Sequence, residues 1–174
     1  MKSTMIAMAA LLGASALYAQ NPLTDELRQG YNGVKNNVTR AAEKMPDGDY
    51  SFAPGMGSRT FGAAVVHIAV VQAGLCGMAA GQEKKIDESK TDKAAALEAL
   101  KEAFAFCDPI YAGLTDSQAT QTVKMFGRDR TKFGVLDFGV IHGNEMYGTL
   151  AVYLRAKGLV PPSSERGGMG KKKE

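Results

Sequence analysis

Two histidines, nine methionines and two cysteines carry the coordination and redox chemistry of this 174-residue chain. One stretch, HGNEMYGTL, places His142 and Met146 four residues apart. Positions i and i+4 share a helix face, so a second histidine at 146 would complete a two-ligand face for a transition metal. The residue there is methionine. Its thioether is soft and suits copper(I), while the same flexible side chain also fills irregular gaps in ordinary cores. Glu145, three residues after His142, is the other donor within reach on that helix, or else a surface carboxylate. His67 stands among Ala63, Ala64, Val71 and Gly74. A histidine in such a setting is either a ligand or a core group whose ring nitrogens are satisfied by neighbours. Gly139 and Gly143 flank His142 and cost helix stability, about 1 kcal/mol each against alanine. Close helix contact and room for a ligand both explain them, and the spacing does not choose. No nucleophile–histidine–carboxylate set can be placed. The GxG of Gly55 and Gly57 has no strand before it, so it reads as loop chemistry rather than a phosphate cradle.

Four segments with helical periodicity position these residues, and almost none of the chain alternates as strands do. In the first, Leu27, Tyr31, Val34, Val38, Ala41 and Met45 step by three and four, with Thr24 expected as its cap and Pro46 as its stop. The loop PDGDYSFAPGMGS follows, and its Tyr50 and Phe52 are expected to tuck over the bundle end. The second helix is expected over about 60–81 and carries His67. The polar linker GQEKKIDESK leads to a third, about 91–114, in which Pro109 predicts a kink or weakened turn near 106–110. A polar loop containing Gly127 precedes the last helix, about 130–157, which Gly158 and the prolines at 161 and 162 end. Four amphipathic helices make an all-α four-helix bundle the natural architecture.

The ends read differently. Lys2, an uncharged apolar run from Met5 to about Leu17, and Ala14, Ala16 and Ala19 have the pattern of a secretory signal peptide over residues 1–19. The run is shorter than the roughly 20 residues of a membrane span, and no cysteine near its exit offers a lipid anchor. The expected mature domain is therefore 20–162, periplasmic or secreted, with no stable membrane anchor, followed by a disordered basic tail over 163–174. Removing Lys2 lowers the formal charge from +3 to +2. Acids and bases are mixed along the chain, which is no nucleic-acid footprint. A homodimer is compatible with such a bundle, and the sequence specifies no small-molecule ligand.

The runs EKMPDGDYSFAP, RTFGAAVVHIA and HGNEMYGTLAVYLRAKGLVPPSS, in that order and spacing, resemble the DinB-like superfamily in its exported bacterial branch. The resemblance covers about 23–164. It implies a bundle in up-down-down-up order, with a crossover linker between helices two and three. It also implies a divalent metal such as zinc, nickel or iron, held by three histidines, one on helix two and two on the last. By position these are His67, His142 and, where this chain departs from the pattern, Met146. Some relatives are thiol-dependent transferases or isomerases. Two neutral imidazoles are too few to hold zinc firmly, so the expected site is degenerate, its metal weakly bound or absent, and the module non-catalytic. The alternative is a metal-dependent enzyme with Glu145 or water completing the coordination.

The topology decides the fate of Cys76 and Cys107. In a simple hairpin of helices two and three their 11-residue offset is about 16 Å along the axis, beyond the roughly 7 Å that a disulfide tolerates between Cα atoms. The order implied by the resemblance makes these helices parallel and the cysteines level, which permits either a disulfide or two buried thiols.

Overall fold

The computed structural model describes residues 21–165, so the expected signal peptide and the tail from residue 166 lie outside the described residues. Helix α1 spans Pro22–Lys44, α2 Phe61–Ala80, α3 Lys93–Gly113, a single-turn α4 Asp116–Ala119, and α5 Lys132–Ala156. Local chemistry sets the boundaries. Thr60, Asp92 and Thr131 each accept a hydrogen bond from the third amide beyond them, at the start of α2, α3 and α5. Gly81 and Gly158 take left-handed φ values of 68° and 72° at the ends of α2 and α5, and the amides of Gln82 and Leu159 turn back onto Gly77 and Leu154. Thr24 is not the expected cap of α1. Asn21 holds that position and Pro22 the first turn. The open amides of Leu23 and Thr24 instead donate to the Asp116 carboxylate, while the Asp116 amide donates to the Asn21 side chain.

Residue pairs across the seams define helix directions. The Thr91 carbonyl, just before α3, lies where a side chain on Gly62 would be, and fourteen residues beyond Gly62 and sixteen beyond Thr91, Cys76 bonds to Cys107, with Cα atoms 5.6 Å apart. The bond therefore joins two helices running the same way, and the polar linker returns alongside them, with Lys84 paired to Glu102 of α3. Gly30 faces Val140 and Gly143 faces Val34, so α1 and α5 also run together. Arg28 donates to the Tyr111 and Ala112 carbonyls, which sets α1 antiparallel to α3 and places a cation at the α3 C-terminus.

The interior is apolar apart from a few tied groups. Tyr31 and Tyr111 stack with ring centroids 3.8 Å apart. Tyr111 donates to the Leu136 carbonyl at 2.9 Å and accepts from Gln72 at 3.3 Å, and Tyr31 donates to Asp108, which pairs with Lys35. Burial pushes both phenols above their usual range, with Asp108 adding to the effect at Tyr31. Tyr50 is buried, donates to the Ala42 carbonyl and meets Phe61 edge to face, so the loop after α1 closes the bundle end as expected. Helix α2 is long and apolar enough to cross a membrane by composition, but most of it is core.

Three local features differ from the sequence reading. Helix α3 continues through Pro109 to Gly113, further than a helix-ending proline would allow, since a proline removes one amide and the packed face carries the helix across it. The loop around Gly127 is a β-hairpin, β1 Thr122–Met125 with β2 Arg128–Thr131, paired from Thr122↔Thr131 to Met125↔Arg128, and α5 starts two residues later than expected. Ser163–Glu165, assigned to the tail, are instead held on the bundle. Tyr147 and Ser163 hydrogen-bond, and Glu165 pairs with Arg40 and Lys44.

Candidate functional site

His67 projects from the second turn of α2 and His142 from the middle of α5, and the two rings meet at the α2–α5 seam. Their centroids are 5.4 Å apart with planes at 70°. At metal–nitrogen distances of about 2.0–2.1 Å, that centroid separation is of the size two imidazoles on one ion would have. Neither ring makes a hydrogen bond to another described residue. The Phe138 ring lies beside His142 at 6.4 Å and shields one side of it.

The remaining candidates separate. Met146 is half-buried and packs against the core. Glu145 is exposed and acts on His142 through its charge. Among the described residues no group of three histidine, cysteine or acidic side chains is placed to hold a metal ion. The residues present thus fit a two-imidazole pair and do not fit a three-histidine centre.

Electrostatics add a group that the sequence reading missed. Burial lowers the pKa of both imidazoles, and Arg59 lowers both further. At His67 the neighbouring His142 adds to this and Glu88 opposes it, while at His142 it is Glu145 that opposes. Both rings are therefore neutral near pH 7, with lone pairs free to coordinate. Arg59, just before the α2 cap, is fixed there by its carbonyl, which accepts from Tyr153 at 2.7 Å. Its guanidinium disfavours a dication where the rings would hold one. Its distance in sequence from His142 gave no sign of this.

The glycines beside His142 make close contacts rather than space for a ligand. A side chain on Gly143 would meet Val34 at 2.5 Å, on the α1 side, and one on Gly139 would press on Tyr111 and Gln72 at 3.1–3.5 Å. A groove of about 510 Å³ lies elsewhere, between α1 and α3, floored by Leu97, Leu100 and Phe104.

A mostly helical bundle with a histidine pair across one seam defines the class, and the comparisons agree with it. The model of the DinB superfamily matches residues 31–150, and the chain belongs to that superfamily. Its fold is similar to that of a DinB-like protein from Bacillus cereus, with TM-score 0.70 and 19% identity over 79% of this chain and 95% of that one. It is also similar to a DinB-like protein from Bacillus subtilis, with TM-score 0.62 and 22% identity over 82% and 99%. No curated relative matches the sequence.

Proposed function

We propose that this chain is an exported DinB-superfamily bundle whose metal site is reduced to a histidine pair, and that it works as a non-catalytic ligand- or partner-binding module. The observation that carries the reading is the placement of His67 and His142 at 5.4 Å, with a half-buried methionine, Met146, against the core at the third position. The exposed Glu145 and Arg59 support it, the first because its carboxylate is solvated and the second because its charge opposes a dication. Zinc, nickel or iron binds weakly at such a pair, if at all, and a soft ion gains most from the thioether. The uncharged run after Lys2 supports export.

Metal content and affinity of the purified protein, compared with Met146→His under added zinc and nickel, test the proposal. The expected outcome is loose binding by the wild type and about one tightly held ion per chain in the variant, since a third imidazole restores a closed ligand set. A stoichiometric, chelator-resistant ion in the wild type would overturn the reading and make His67 and His142 the starting point for a search for a reaction.

A further inference from the structure

The hairpin joins three features that the bundle does not explain. Its turn residues Phe126 and Gly127 have φ values of 49° and 77°. This is the geometry of a tight type I′ turn, which asparagine or aspartate normally enters first. An aromatic residue in the left-handed region is unusual, and here its side chain is 72% exposed. The segment from Thr122 to Lys132 carries four bases, Lys124, Arg128, Arg130 and Lys132, against the single acid Asp129. That surplus of three equals the formal surplus of the whole chain. Asp129 is already paired with Lys124 at 2.7 Å. Met125 is buried and Val123 packs on the core, so the tip is mounted on a fixed base.

The position of the hairpin suggests the partner. Lys132 donates its amide to the Gln121 carbonyl at the start of α5, the bundle end at which α1 also begins. Leu23, 56% exposed, lies at that end. The polypeptide that enters there carries the uncharged apolar run of residues 5–17, and the inference rests here on the export proposed above, in which that run brings this end toward a bilayer. We propose that the β1–β2 hairpin makes a reversible, tip-first contact with an anionic lipid surface, with Phe126 entering the headgroup layer and the bases on the two faces behind it, Arg128 on one and the Asp129-paired Lys124 on the other, near the phosphates. An exposed apolar ring next to basic side chains suits that layered chemistry: an acidic polypeptide offers the charge without the apolar layer beneath it. One ring and two bases give weak, salt-sensitive binding rather than an anchor.

The chain contains no tryptophan, so Phe126→Trp makes a site-specific reporter in the protein without residues 1–19, whose apolar run would bind vesicles by itself. Met56→Trp, in the fully exposed loop before α2 at the opposite end, is the control. Far-UV dichroism verifies that both variants fold. The expected result is a shift of Phe126→Trp emission to shorter wavelength with vesicles of phosphatidylglycerol and phosphatidylcholine in equal parts. Pure phosphatidylcholine should give no shift, high salt should reverse it, and Met56→Trp should not respond. Adding Arg128→Gln to the reporter should raise the lipid concentration for half-binding about fivefold, the factor equivalent to about 1 kcal/mol per basic side chain at an anionic surface. Silence of Phe126→Trp, an equal shift at both reporters, or no effect of Arg128→Gln would each overturn the proposal. A response to polyglutamate but not to vesicles would overturn it in favour of an acidic protein partner.

Discussion

At Gly143 the reason for a missing side chain is Val34, whose methyl group fills the place a β-carbon would take. The valine is β-branched and stiff in its helix, so it cannot swing aside cheaply. Gly143→Ala should gain helix propensity yet lose stability, by about 1–2 kcal/mol net, because overpacking outweighs the propensity term. The urea midpoint of unfolding checks this, and an unchanged or higher midpoint would contradict the close α1–α5 contact. Sequence alone left Gly139 and Gly143 divided between contact and ligand space, since the space beside each glycine belongs to residues on other helices, Tyr111 and Gln72 for one and Val34 for the other. His67 and His142 were legible as a pair through resemblance. Arg59 was not, because its influence on both rings arises only from the fold.

Helix α1 depends on a carboxylate from another element. Asp116 accepts from the Thr24 amide and hydroxyl at 2.9 Å and from the Leu23 amide at 3.3 Å. Desolvation alone would raise its pKa, but these hydrogen bonds together outweigh it and hold the carboxyl below its ordinary value. A depressed folded-state pKa contributes stability that is present above the unfolded value and lost as pH falls through the folded one. Wild type should therefore lose stability on acidification through and below the ordinary carboxylate range. Asp116→Asn should begin less stable at neutral pH and lose less over that interval, as melting temperatures from neutral to acid pH would show. A parallel fall in both proteins would remove Asp116 from the account. The helices themselves were readable from periodicity. The capping was not, because Thr24 has the right residue type one turn too late, although the Asn21–Pro22 step marked the true start. The hairpin was missed because each strand is four residues long, β2 is exposed throughout, and Phe-Gly lacks the usual turn signature.

Across the whole molecule, the Cys76–Cys107 bond ties two helices whose chain connection runs the length of the bundle. With 31 positions separating the cysteines, the chain-entropy model gives about 4 kcal/mol for removing the cross-link. Cys76→Ser with Cys107→Ser, or reduction of the wild type, should lower the melting temperature and make it insensitive to oxidant. A wild type whose melting is unmoved by strong reductant would contradict the bond. The bundle as a fold class was legible, since four periodic segments with polar connections allow little else. The relation between α2 and α3 was not. It depends on contacts such as Gly62 with Thr91, which local periodicity does not encode, and only the resemblance to the DinB-like superfamily implied it.

That same bond turns residues 76–107 into a closed ring. The exposed linker within it, with Lys85 and Lys90, is where a protease would find its easiest target. A cut there leaves both halves of the bundle joined covalently and each helix against its neighbours. A nicked chain is thus still one molecule, and it comes apart only when it meets a reductant.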